Sequence, residues 1–196
     1  MTLLAFERVA CLRGDRLLFA GVTFTLGPGE ALLVEGPNGI GKSSLIRQAA
    51  GLLPVREGRI ARGAAMALAD ERAALDPELP LGRALAFWAR LTGRVEDVAA
   101  ALDALGLAPL ADVPVHILST GQRRRAALAR VLASGAPLWL LDEPGNGLDA
   151  ASLAALGAAM AAHRAAGGAI LAAAHMALPL DAPRRIALAE HAVDGA

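Results

Sequence analysis

Hydrophobic and polar positions divide the chain into short segments whose periods differ. Leu3–Val9 and Val22–Leu26 alternate as strands do, on either side of a turn at Arg13-Gly14-Asp15. Pro28-Gly29 turns the chain into Ala31–Glu35, a short apolar run that suits a buried strand. Gly36 to Gly41 is dense in glycine. Helical patterning follows from Ser43 to about Ala50, where Gly51 offers a stop. Between about residues 75 and 135 the period is helical throughout, in Leu81–Leu91, Val95–Leu105 and, after the break at Pro114, Thr120–Ala133. Pro137 opens a second buried strand, Leu138–Leu141. A helix over Ala150–Ala166, a strand at Ala169–Ala173 and a short strand near Arg185–Ala189 complete the series. Strands separated by helices predict a parallel sheet covered on its faces, with the 75–135 block as a helical insertion.

Composition narrows this picture. The 196 residues favour a single domain, 1–196, with core segments 1–74 and 136–196 and a helical lobe of about 75–135. Lys+Arg and Asp+Glu are both 19, so no overall field draws the chain to nucleic acid or to an anionic membrane. Hydrophobic residues make up 55%, but much of this is alanine and aromatics are only 3%. The lone cysteine, Cys11, cannot form an internal disulfide, which fits a reducing compartment. MTLLAFERVA lacks the basic start and long apolar run of a signal peptide. The apolar stretch from Ala165 to Leu180 falls short of the roughly 18 residues that cross a bilayer, so any membrane span is expected from another polypeptide.

Gly36-Pro37-Asn38-Gly39-Ile40-Gly41-Lys42-Ser43, with Ser44 after it, matches G-x-x-x-x-G-K-[ST] between a predicted strand and a predicted helix. Glycines let successive N–H groups turn towards phosphate oxygens at the positive end of a helix dipole. Lys42 is the only lysine in the chain and stands where an ammonium meets the β- and γ-phosphates; Ser43 is placed to ligate Mg²⁺. Leu138–Leu141 runs into Asp142-Glu143-Pro144. An acid at a strand end beside a phosphate loop can hold Mg²⁺ through a water, and its neighbour can polarise an attacking water. Leu118-Ser119-Thr120-Gly121-Gln122 then precedes Arg123–Arg125 at a helix start, offering a hydroxyl and bare N–H groups to an anion. Taken alone, that arginine run reads as a solvated helix face.

Phosphate loop, LSTGQ, apolar strand with Asp-Glu, a further Asp, then His: in this order the chain resembles the nucleotide-binding subunit of an ABC ATPase along nearly its whole length. The resemblance implies a P-loop NTPase fold of the ABC type, α/β, with a mostly parallel core sheet, a small antiparallel β lobe and a helical insertion lobe. It implies ATP and Mg²⁺ as cofactors and a head-to-tail dimer with two ATP molecules between the copies. Ser119, Gly121 and Gln122 match the signature that reaches the γ-phosphate of the partner's ATP. Glu143 matches the general base and Asp142 the acid that supports Mg²⁺. Asp149 matches the loop that communicates across the dimer, and His175 the histidine that contacts the γ-phosphate.

Two departures stand out. Where an aromatic residue usually stacks on adenine this chain has Arg13, whose guanidinium can stack on a base or lie free on the surface. The loop that usually supplies a glutamine contains none; Asp70, in Met66-Ala-Leu-Ala-Asp70-Glu71, is the candidate for that position. These departures, the short length and the Leu79–Leu91 segment resemble the haem-exporter ATP-binding subunits of the cytochrome c maturation system. Phe87-Trp88 reads equally as simple helix core. The resemblance implies a peripheral place on the cytoplasmic side of the bacterial inner membrane, separate multi-span partners and indirect contact with haem-maturation factors. His116, His163 and His191 are scattered and there is no Cys-x-x-Cys-His, so direct haem binding by this chain is not expected. Two alternatives stay open: service to a different ABC transporter, and a weakly catalytic, ATP-gated binding module.

Overall fold

The computed structural model describes residues 1–193, so the last three residues of the expected single domain lie outside it. Two sheets organise the chain. Strands β1 (Leu4–Arg13), β2 (Arg16–Leu26) and β4 (Glu57–Arg62) form an antiparallel sheet in the order β2-β1-β4. Strands β3 (Ala31–Glu35), β5 (Met66–Ala69), β6 (Leu138–Asp142), β7 (Ala169–Ala173) and β8 (Arg184–Ala187) form the second, in the order β5-β6-β7-β3-β8, every neighbouring pair parallel. Helices α1 (Lys42–Ala49), α2 (Leu81–Leu91), α3 (Asp97–Ala104), α4 (Thr120–Leu132) and α5 (Ala150–Ala165) cover it.

Alternation along the central strands divides the core in two. Leu32, Val34, Leu140 and Leu171 face α1 and the antiparallel sheet, where Phe6 and Phe24 stack at 4.4 Å. Leu33, Trp139, Leu141 and Ile170 face the other way, towards α2–α5. Helix α4 packs on α2 and α3 and also on β5, so it bridges the helical segment and the sheet.

The opening strands extend beyond their apolar alternation, because β1 and β2 continue to the hairpin pair Arg13–Arg16. Two strands have no counterpart in the sequence reading. β4 is exposed along most of its length and has no apolar run to betray it. β5, Met-Ala-Leu-Ala, is built of good helix formers, and parallel pairing with β6 makes it a strand. At the far edge, Arg184–Ala187 is the strand and the chain then turns through Leu188–His191.

Candidate active site

Parallel strands present their carboxyl ends along one edge of the sheet, where loops gather side chains from distant parts of the sequence. β3 ends in the glycine loop, and α1 begins immediately after it at Lys42. Gly41 has φ 114°, and a Cβ there would stand 3.0 Å from the Phe19 ring, so the loop can pass this point only as glycine. Lys42 is buried. Its ammonium donates to the carbonyls of Gly36 at 2.8 Å and Pro37 at 3.3 Å and lies 3.5 Å from Glu143 Oε1.

The opposite wall comes from the ends of β5, β6 and β7. Ser43 Oγ donates to Asp142 Oδ1 at 3.0 Å. Asp142 is itself buried, and burial raises its carboxyl above the ordinary carboxylate range; the charges of Glu143 and Asp70 push the same way, while the Ser43 hydroxyl and Arg47 oppose them. Glu143 has φ 51° and its amide donates to the Ala173 carbonyl at 2.8 Å. Its Oε2 accepts from His175 Nδ1 at 2.7 Å and from the His175 amide at 3.2 Å. A carboxylate set between an ammonium and an imidazole is oriented to accept a proton from a water delivered between them.

A cleft of about 520 Å³ joins these walls. Of the residues singled out in the sequence, Arg13, Asn38, Gly39, Gly41, Lys42, Ser43, Ser44, Glu143 and His175 line it. Gly36 and Pro37 contribute through their carbonyls to Lys42, Ile40 packs into the core beneath the loop, and Asp142 stands behind Ser43. Three more lining residues, Leu18, Glu71 and Asn146, escaped the sequence reading. Asp70 does not line the cleft: its Oδ1 accepts from the Arg72 amide at 3.0 Å and its Oδ2 lies 4.0 Å from Arg47. Its neighbour Glu71 lines the cleft instead.

Ser119, Gly121, Gln122 and Asp149 lie elsewhere. Ser119 caps α4: its Oγ accepts from the Gln122 amide at 3.2 Å, while Gln122 Oε1 accepts from the Ser119 amide at 2.8 Å. Asp149 caps α5 by accepting from the Ser152 amide at 2.7 Å, and this bond holds its carboxyl below the usual range. The two helix starts meet closely, since a Cβ at Gly121 would stand 3.3 Å from the Gly147 carbonyl. A second cleft of about 420 Å³ opens beside them, and Glu71 and Asn146 border both clefts. Phe87 is not helix core: it is 54% exposed, next to Leu91 at 67%. Trp88 is half-buried, donates to the Ala74 carbonyl at 2.6 Å and lies under the Arg130 guanidinium.

The ABC transporter family model matches residues 19–146, a span from β2 through the phosphate loop and the α4 start to the Asp142-Glu143 strand end. The chain belongs to the ABC transporter family. Within that family it is 61% identical over 179 residues to the cytochrome c biogenesis ATP-binding export protein CcmA of Sphingopyxis alaskensis, covering 91% of this chain and 92% of that one. The Zymomonas mobilis CcmA is 53% identical over 177 residues, covering 90% and 80%. Among solved structures, an ATP-binding subunit of an ABC transporter superposes with a TM-score of 0.82 at 25% identity, covering 89% of this chain and 80% of that one. A dimeric post-hydrolysis state of the ATP-binding cassette MJ0796, bound to ADP and Pi, shares the fold with a TM-score of 0.79 at 19% identity, covering 88% of each chain. As a member of this ABC family the chain is a nucleotide-binding ATPase of the CcmA type. No helix among the described residues is long and apolar enough to cross a membrane.

Proposed function

We propose that this ABC ATPase energises haem export, or release of a haem-loaded chaperone, in cytochrome c biogenesis. The 61% identity to a CcmA across nine-tenths of both chains carries this reading. Lys42 and the loop N–H groups would hold the β- and γ-phosphates. Ser43 Oγ and Asp142, 3.0 Å apart, are hard oxygen donors that suit Mg²⁺. When bound, the ion neutralises charge developing on the phosphates. Glu143 orients the attacking water and accepts its proton at a carboxylate oxygen, with His175 fixing that carboxylate. Arg13 and Leu18 receive the base, and Glu71 stands in for the missing glutamine.

The signature residues belong to the partner's ATP. Ser119, Gly121 and Gln122 stay outside their own chain's cleft, which supports a head-to-tail pair closed by γ-phosphate; Asp149 lies along the same seam. Residues 75–135 serve as the lobe that meets separate multi-span subunits, and exposed Phe87 and Leu91 give it an apolar contact. The chain then sits on the cytoplasmic face of the bacterial inner membrane, in indirect contact with haem-maturation factors.

Glu143→Gln tests both halves of the reading. Turnover should fall about 10²–10⁴-fold while ATP binding persists, and the variant should run as a dimer by light scattering in ATP and Mg²⁺. Tagged and recovered from gently solubilised native membranes, it should carry small multi-span subunits and haem-maturation proteins. A monomer with ATP bound counts against the sandwich, and recovery of an unrelated permease against the haem assignment.

A further inference from the structure

Each member of the arginine run at the start of α4 bonds backbone carbonyls, Arg123 from an exposed position and Arg124 and Arg125 from half-buried ones. Arg123 Nη1 reaches the His116 carbonyl at 3.3 Å, and Arg125 Nη1 reaches those of Leu105 at 2.9 Å and Gly106 at 3.3 Å; both tie α4 to the helical segment. Arg124 turns the other way. Its Nη2 donates to the Asp142 carbonyl at 3.0 Å and to the Glu143 carbonyl, and its Nη1 lies 3.4 Å from the Asp70 carbonyl. One guanidinium thus joins α4 to the carboxyl ends of β5 and β6.

Glu143 is where that link matters. A left-handed φ of 51° is uncommon for a residue with a side chain and persists where its surroundings impose it. Here the amide is held by the Ala173 carbonyl and the carbonyl by Arg124. With both flanking peptides fixed, the carboxylate is delivered between Lys42 and His175. Arg124 does not line the cleft that holds those groups.

We propose that Arg124 is a positioning residue for Glu143, holding the backbone of the general base in register and making it answer to movement of α4. The proposal rests on the ATPase reading of Glu143. It adds a path by which the helix that begins at Ser119, the segment assigned to the partner's ATP, governs water activation in its own chain.

Steady-state hydrolysis and nucleotide affinity, measured on the full chain with Arg124→Ala, Arg124→Lys, Glu143→Gln and the Arg124→Ala/Glu143→Gln pair, test this. Arg124→Ala should lower kcat about 10²-fold with nucleotide affinity held within about twofold. Arg124→Lys should recover part of the loss, since one ammonium can reach the same carbonyls without the fork. In the Glu143→Gln background the Arg124 change should cost nothing further, because the two residues act as a unit. An unchanged kcat overturns the proposal. So does a loss that repeats in full in the Glu143→Gln background, or one that tracks nucleotide affinity. If Arg124→Ala fails to fold, Arg124→Lys decides: reduced kcat with affinity kept supports positioning, and wild-type kcat overturns it. Equal turnover by wild type and Glu143→Gln would instead remove the catalytic reading, and this proposal with it.

Discussion

The two walls of the cleft are built in opposite ways. One wall is a single stretch, residues 36–44, whose glycines and helix start place the groups through local backbone geometry. The other is assembled from the ends of β5, β6 and β7, with Glu71, Glu143 and His175 brought together by strand order. The first needs only its own sequence to be right. The second needs the sheet in register and, by the role proposed for it, Arg124 at its back. A wall set by local backbone is held by its own loop, whereas a wall set by strand order depends on the relative placement of three strands.

Breaking the contiguous wall should have the largest effect. Lys42→Ala removes the ammonium from a buried site and should lower turnover about 10³-fold, with loss of nucleotide affinity visible in a fluorescent-nucleotide titration. Unchanged turnover would sink the assignment of this loop.

The assembled wall separates stability from function at Asp142. Its carboxyl titrates above the ordinary value near 3.8, so the folded chain binds a proton that the unfolded chain has released. Stability therefore falls as pH rises from that ordinary value through the raised one. Asp142→Asn keeps an acceptor for Ser43 and removes the titrating group. It should raise the nucleotide-free Tm at pH values above the raised pKa, with the gap closing as pH falls towards the ordinary carboxylate value, while hydrolysis falls. A lower Tm for the Asn variant at pH 7 would show that the ionised carboxylate is well accommodated.

The smallest effect lies farthest from the cleft. Ser119→Ala removes one half of the α4 capping box and should cost about 1 kcal/mol, read as a drop of about 2–4 °C in Tm. It should leave nucleotide binding by the isolated chain intact. Weakened binding there would place Ser119 in its own chain's site and contradict the two-copy arrangement.

What the sequence revealed follows the same division. The glycine loop, the β6 strand ending in two acids and the α4 cap were legible because each lies within a dozen residues of contiguous chain. Strand β5 was hidden by helix-forming residues, and the choice between Asp70 and Glu71 depended on how the chain leaves that strand. Leu18 and Asn146 carry no signal of their own, since each enters the cleft only through the folding of its neighbours. Arg124 was visible as a charge but its target was not, because backbone carbonyls leave no mark in a sequence. Phe87 shows the reverse limit: helical spacing leaves core and surface both open for an apolar residue, and the fold turns this one out.

A last consequence follows from Lys42 being the only lysine, buried in the nucleotide cleft. An acylating reagent that selects primary amines meets one side chain in this protein besides the chain terminus. Its modification, followed by peptide mass, becomes a single-site gauge of cleft occupancy that needs neither a mutation nor a coupled assay.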